Sequence, residues 1–304
     1  MARFGRVVTA MVTPFTEGGE LDLDRAAELA RWLVAQGNDG LVVAGTTGES
    51  PTLPDAQRLD LFRAVRDAVD VPLIAGSTTN DTGHSVTLTE EATEIGYDGI
   101  LAVTPYYNRP SQAGLLIHFG AIAASTDRPV MLYDIPVRTG RKISQETLLE
   151  LAHDVENVVA VKDAAGDLSA TARLVRDAPD DFEVYSGEDR LTLPLLAIGA
   201  VGTVGVATHW CAREQAEVID AFAAGDVARA RELNARLLRS FAFEGTDEAP
   251  NPIPTKVMLE VLGMPVGSCR GPMGPVPPGL ADEARAVAAE LGVLADAGAG
   301  AAAH

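Results

Sequence analysis

The chain has 304 residues, long enough for one large domain or two average ones and for burial of roughly three quarters of its extended surface. Hydrophobic residues make up 47% and charged residues 22%, which excludes disorder as the overall state. With 24 basic against 43 acidic residues the formal net charge is -19, a field that repels nucleic-acid backbones and anionic membrane surfaces.

The first residues, Met1-Ala2-Arg3-Phe4-Gly5-Arg6, lack the apolar stretch of a secretory signal and lead directly into a strand-like run. The two cysteines, Cys211 and Cys269, have no partner nearby in sequence, which fits neither a disulfide framework nor a zinc knuckle. A reducing, cytoplasmic setting is expected.

Short apolar runs rich in β-branched residues recur at Val7–Met11, Leu41–Ala44, Val71–Ala75, Ile100–Val103, Val130–Tyr133, Val158–Val161, Phe182–Tyr185 and Thr203–Val206. Between most of them lie segments of helical periodicity: Asp24–Ala35, Asp55–Val69, Ser85–Ile95, Gln112–Ala124, Gln145–Ala152 and Ser169–Asp177. That rhythm implies parallel strands joined by helical crossovers, and the near-uniform apolarity of the strands says that both of their faces are covered. Eight such units predict a closed (β/α)8 TIM barrel, an α/β fold. A doubly wound open sheet competes, but the residues after Met11, Val12-Thr13-Pro14-Phe15, carry no dinucleotide-binding glycine pattern.

The stretch between Arg190 and Arg213 has no charged residue and could be taken for a membrane span. Pro194, Gly199, Gly202, Gly205 and His209 interrupt it, so a buried helix followed by a buried strand explains it better. Beyond Thr208 the strand signals stop. Arg213–Ala224 is expected to close the barrel, while Val227–Phe243, Thr255–Leu262 and Gly279–Leu294 read as an appended group of helices. The expected organisation is a barrel catalytic domain over residues 1–225, a C-terminal helical domain over 226–294, and a disordered Ala/Gly-rich tail over 295–304.

Lysine is scarce: Lys142, Lys162 and Lys256 are the only three among 24 basic residues. Lys162 ends the sixth predicted strand, at the barrel face where active sites are built. Strand alternation turns Lys162 and Asp163 to opposite sides, so Lys162 can point inward. Partial desolvation there disfavours an ammonium and leaves neutral amine able to attack a carbonyl, making Lys162 a Schiff-base candidate. The competing reading is a lysine that snorkels to solvent.

The fifth predicted strand ends in Tyr133, which brings a phenol to the same face and can shuttle a proton to and from oxygen; a satisfied core tyrosine is the alternative. Arg138, on the following loop, can clamp a carboxylate with its guanidinium fork. After the second strand, Gly45-Thr46-Thr47-Gly48-Glu49-Ser50 offers backbone N–H groups and hydroxyls to an anion, or is simply a tight turn with a helix cap. Tyr106 and Tyr107 follow the fourth strand at the same rim. The histidines His84, His118, His153, His209 and His304 are scattered without ligand spacing, so no metal is expected.

These segments together resemble the pyruvate-dependent lyase and synthase family of N-acetylneuraminate lyase and dihydrodipicolinate synthase, and the latter branch most closely. The likeness runs from about Gly5 to Leu294. It is carried by Gly45–Ser50, Thr104-Pro105-Tyr106-Tyr107-Asn108, Tyr133–Gly140, Val161-Lys162-Asp163, Ser186-Gly187-Glu188-Asp189 and Asn251-Pro252-Ile253-Pro254, in that order and spacing. The resemblance implies that Lys162 condenses with pyruvate, that Tyr133 is the acid/base, and that Thr46 and Tyr107 complete a proton relay, with Tyr107 reaching into an adjoining subunit. It further implies that Thr47 holds the pyruvate carboxylate, that Arg138 holds L-aspartate 4-semialdehyde, and that Gly187 and the carbonyl near Val204 line the pocket. The implied assembly is a homotetramer, a dimer of dimers, with no cofactor beyond the covalent imine on Lys162.

The chain departs from that pattern in places. Asp134 and Asp163 stand where many members carry Asn and Glu. The family's lysine feedback pocket maps near Ser50, Asp55, Arg58, Asn80, His84 and Tyr106, and the changed types at Asp55, Arg58 and His84 imply weak or absent lysine inhibition. An aldolase for a 2-keto-3-deoxy sugar acid, or an N-acetylneuraminate lyase-like enzyme, would keep Lys162 and Tyr133 but need other contacts to the second substrate. A barrel that binds metabolites without catalysis is the reading from another class.

Overall fold

The computed structural model describes residues 2–294. Eight parallel strands close in chain order: β1 (Val7–Ala10), β2 (Gly40–Val43), β3 (Leu73–Ala75), β4 (Gly99–Val103), β5 (Val130–Asp134), β6 (Val158–Asp163), β7 (Glu183–Ser186) and β8 (Gly202–Gly205), with β8 pairing back onto β1. Around and beyond them run α1 (Leu23–Ala35), α2 (Asp55–Arg66), α3 (Thr82–Ile95), α4 (Gln112–Ala124), α5 (Pro136–Thr139), α6 (Gln145–Asp154), α7 (Leu168–Asp177), α8 (Thr192–Leu196), α9 (Thr208–Ala223), α10 (Val227–Phe243), α11 (Ile253–Val261) and α12 (Leu280–Leu291). The fold is the TIM barrel that the sequence predicts. The segment from residue 295, expected to be disordered, lies outside the described residues.

Local chemistry explains where the crossover helices start. Asp22, Asp81, Ser111, Ser144 and Asp167 each stand one residue before a helix and accept a hydrogen bond from a backbone N–H of its first turn. The uncharged stretch before Arg213 resolves into the short helix α8 and the buried strand β8, as its glycines and proline suggest. Among the described residues no helix is long and apolar enough to cross a membrane. The helix expected from Arg213 begins earlier, at Thr208, with a break in helical geometry at Cys211. The four-residue helix α5 is too short for any periodicity; its signals are Pro136 at the first turn and Gly140 in the left-handed region at its end.

Strand alternation divides the core in two. Val8, Val42, Ile74, Leu101, Met131, Ala160, Tyr185 and Val204 pack together inside the ring. Their neighbours Leu41, Leu73, Ile100, Leu132, Val161 and Val184 face outward and join the apolar faces of the helices. From β2 to β7 the named residues thus cover both sides of each strand with apolar contacts, which is why these strands read as hydrophobic runs. A separate cluster joins α9 to the C-terminal helices through Trp210, Val218, Leu237, Phe241, Ile253, Met258, Leu280 and Val287.

One irregularity matters for everything at the barrel mouth. Val130 of β5 pairs with Val158 of β6, but Met131 pairs with Ala160, so Val159 is an extra residue in β6. Beyond it Tyr133 faces Lys162 and Asp134 faces Asp163. A regular ladder would instead have set Val161 opposite Tyr133.

Closure at the β8–β1 seam depends on a missing side chain. A Cβ at Gly202 would sit 2.3 Å from the Arg6 carbonyl oxygen, a backbone atom that is fixed by accepting the Thr203 N–H. Gly202→Ala is expected to lower stability by about 3 kcal/mol in urea unfolding, the upper range for overpacking; a loss under about 0.5 kcal/mol would mean that the seam relaxes freely.

Candidate active site

Lys162 and Tyr133 are both only 4% exposed, inside the ring at its C-terminal end. The Lys162 Nζ lies 4.3 Å from the centroid of the Tyr133 ring, within the range at which an ammonium is attracted to an aromatic face. A Cβ at Gly187 would lie 2.9 Å from Lys162 Cγ and 3.1 Å from its Cε, so the glycine makes room for the lysine stem and forms the wall beside it. The Tyr133 carbonyl accepts hydrogen bonds from the N–H and hydroxyl of Thr104, which pins the end of β5 to β4.

Two adjoining cavities open at this mouth. One, of about 460 Å³, is lined by Thr46, Thr47, Tyr133, Arg138, Lys162, Gly187, Val206 and Asn251 among others. The second, of about 240 Å³, shares Thr46, Tyr133, Ile135 and Arg138 with it and extends to Ser50, Thr78, Leu101 and Tyr106. Thr46, Tyr133 and Arg138 therefore stand where the two meet, and the volumes suit small organic molecules. Arg138, in α5, is exposed and lines both cavities, while its neighbour Thr139 is buried. Thr47 is buried, and its hydroxyl accepts a hydrogen bond of 3.0 Å from Asn251 Nδ2.

Other residues singled out in the sequence lie apart from Lys162. Tyr107 is 91% exposed, in the left-handed backbone region at φ 72°, and its own chain does not bring it to Tyr133. Val204 is fully buried in the barrel interior, while Val206 is the residue of that strand end that lines the cavity. Ser50 and Tyr106 line the smaller cavity. Asn80 donates to the Tyr106 carbonyl at 3.2 Å, His84 Nε2 lies 2.9 Å from the Asp55 carboxylate, and Arg58 donates to the Ser50 carbonyl at 2.8 Å. These residues do form one neighbourhood, with the Arg58 guanidinium buried in it.

The cavity wall also holds residues to which the sequence gave no role. Glu188 and Arg190, paired at 2.8 Å, come from the turn after β7, and Phe241, Glu244 and Asn251 come from the C-terminal helices and their loop. Asn251 stands in the Asn-Pro-Ile-Pro signature, which was the available signal; Phe241 and Glu244 had none, because they reach the mouth through packing of distant helices. Burial first, and then the neighbouring Asp189, hold the Glu244 carboxyl well above its ordinary range. Among the histidines, His209 is a satisfied core residue: its Nδ1 lies 2.7 Å from the Val206 carbonyl, its Nε2 accepts the Val12 N–H, and burial lowers it to about 4. Among the described residues no group of three or more His, Cys, Asp or Glu side chains converges as a metal site.

Asp134 and Asp163 point out of the ring, away from Lys162, as alternation requires. Asp163 accepts hydrogen bonds from the Ala165 N–H and the Thr171 hydroxyl. Asp134 is 2% exposed and accepts the Ile143 N–H at 3.1 Å; desolvation, partly offset by that bond and reinforced by Asp163, raises it to about 7.

A buried lysine over a tyrosine at the mouth of a TIM barrel is an arrangement suited to Schiff-base chemistry. The chain belongs to the dihydrodipicolinate synthetase family, whose model matches residues 3–290. It is 50% identical over 273 residues to the 4-hydroxy-tetrahydrodipicolinate synthase of Moorella thermoacetica, covering 89% of this chain and 92% of that one. It is 45% identical over 275 residues to the enzyme of the same name from Bacillus subtilis, covering 90% and 94%. Among solved structures it resembles DHDPS from Cyanidioschyzon merolae with lysine bound, at TM-score 0.94 and 41% identity over 97% of this chain and 100% of that one. Dihydrodipicolinate synthase DapA-2 of Bacillus anthracis gives 0.90 and 44% over 94% and 98%.

The Asp134 environment makes a test of stability against pH. Its folded value of about 7 lies above the ordinary 3.8, so between these values the folded protein keeps a proton that the unfolded chain releases. Stability falls as pH rises through that window and stays at the lower level above it. Asp134→Asn is expected to add on the order of 3 kcal/mol at about pH 8 and little at about pH 3.5, read by urea unfolding; an equal effect at both would contradict the assignment.

Proposed function

We propose that this protein is a 4-hydroxy-tetrahydrodipicolinate synthase, which condenses pyruvate with L-aspartate 4-semialdehyde on the route to diaminopimelate and lysine. The observation that carries the reading is the buried Lys162 amine, 4.3 Å from the Tyr133 ring at the mouth of the barrel. The name of its relatives, 4-hydroxy-tetrahydrodipicolinate synthase, supports the product of this reaction.

The Lys162 amine adds to C2 of pyruvate, and loss of water from the carbinolamine gives an imine. Tyr133 carries the proton to the departing oxygen, with Thr46 beside it at the junction of the cavities as the next group in the relay. Thr47, oriented by Asn251, holds the pyruvate carboxylate. Removal of a C3 proton gives an enamine, whose C3 attacks the aldehyde carbon of the semialdehyde while the aldehyde oxygen takes up a proton. The amino group of that substrate then attacks C2, closes the ring and expels the Lys162 amine. Arg138 faces the mouth, so its guanidinium meets the semialdehyde carboxylate rather than pyruvate. Gly187 and Val206, just beyond the end of β8, form the far wall.

In this reading the covalent imine is all the chemistry requires, without metal or further cofactor. The assembly is a homotetramer in which Tyr107, so far out from its own barrel, completes the relay of a neighbouring subunit. Residues 1–225 act as the catalytic domain and 226–294 as a helical domain, and the unpaired Cys211 and Cys269 fit a cytoplasmic enzyme.

Borohydride reduction with pyruvate, followed by mass spectrometry, is expected to mark the peptide containing Lys162; no adduct would refute the mechanism. Arg138→Ala is expected to leave that adduct intact while raising the KM for the semialdehyde about 30-fold, the loss of one charge-assisted contact. Equal damage to both would contradict its role. Ser50, Asn80, His84 and Tyr106 outline a regulatory neighbourhood in which the buried Arg58 cation opposes an incoming ammonium. Titration with lysine is therefore expected to inhibit weakly or not at all, and strong inhibition would overturn this.

A further inference from the structure

The turn that carries Thr46 and Thr47 is gripped from outside the barrel by an ion pair that the mechanism above does not use. Glu49 is in the left-handed region at φ 54°, an uncommon conformation for a side chain of its size. Its own N–H donates to the Thr46 carbonyl at 3.0 Å, which closes the turn. Its carboxylate is held at both oxygens: Oε1 lies 2.8 Å from Lys256 Nζ of α11, and Oε2 accepts the Arg270 N–H at 2.8 Å. The ion pair is deeply buried, with the side chains 2% and 4% exposed. Lys256 also donates to the Ser268 carbonyl at 3.1 Å and lies 4.3 Å from the centre of the Phe15 ring. Five positions before Lys256, Asn251 holds the Thr47 hydroxyl. Asn251, just before α11, and Lys256, within it, thus hold the turn at two points on either side of Gly48.

A buried ion pair is costly to form and gives little net stability, so its presence beside reactive groups calls for another role. The turn is restrained by its own hydrogen bond and by contacts to both oxygens of the Glu49 carboxylate. We propose that Glu49 and Lys256 are positioning residues that set the placement of Thr46 and Thr47 against Lys162 and Tyr133, so that α11 tunes capture of the keto acid. The inference rests on the pyruvate-condensing reading, and displacement by about 1 Å of a group that orients a substrate can cost up to about 100-fold.

The test is the double substitution Glu49→Gln with Lys256→Met, which removes both charges and leaves no unpaired ion. Expected are a melting temperature close to that of the unaltered protein, a pyruvate KM raised about 10-fold with slower borohydride-trapped adduct formation, and a semialdehyde KM within about twofold, because Arg138 is untouched. If the double variant does not fold, Lys256→Gln, which keeps an uncharged donor for Glu49, is read by the same measurements. A lowered melting temperature with unchanged pyruvate KM and adduct rate would assign the pair to stability alone and overturn the proposal. The unaltered protein is trapped in parallel, and absence of its adduct would count against the pyruvate-condensing reading itself.

Discussion

A lysine amine 4% exposed inside a closed sheet is the constraint around which the mouth of this barrel is arranged. Taking an ammonium from water is expensive, and the surroundings compensate with an aromatic face rather than a carboxylate. The nearest acid in sequence, Asp163, is kept from pairing with the amine by alternation, which sends it outward to Thr171 and the Ala165 amide. The neighbouring glycine, Gly187, leaves the lysine stem the width it needs.

The contact between Lys162 and Tyr133 is produced by the extra residue in β6. Because Val159 is unmatched, the two strands come into step two residues later with Lys162 opposite the phenol. The same shift aligns Asp134 with Asp163 on the outer face, where crowding of two acids contributes to raising Asp134. One bulge therefore sets both the lysine–tyrosine pair inside the ring and the acidic pair outside it.

The remaining groups arrive from elements of different kinds. Thr46 and Thr47 sit on a turn at the end of β2, Arg138 on the short helix after β5, and Asn251 just before α11. The C-terminal helices do more than cover apolar surface, since Phe241, Glu244 and Asn251 enclose the larger cavity. Those helices are bound to α9 through the cluster around Trp210 and Phe241, which carries the packing of the appendage to the mouth.

Much of this was legible in the residues themselves. The eight apolar runs determined the barrel, because strands covered on both faces must be apolar throughout, and the position of Lys162 at the end of the sixth run placed a lysine at the barrel mouth. Side-chain oxygens before the helices determined where five of the crossovers begin. What only the tertiary structure decided is pairing across long separations: the bulge that sets Tyr133 against Lys162, the join of Asn251 to Thr47, and the burial of Lys256 against Glu49. The physical reason is that periodicity records which way a side chain faces relative to its own element. Register and long-range contacts are set by packing between elements, and no local pattern encodes that.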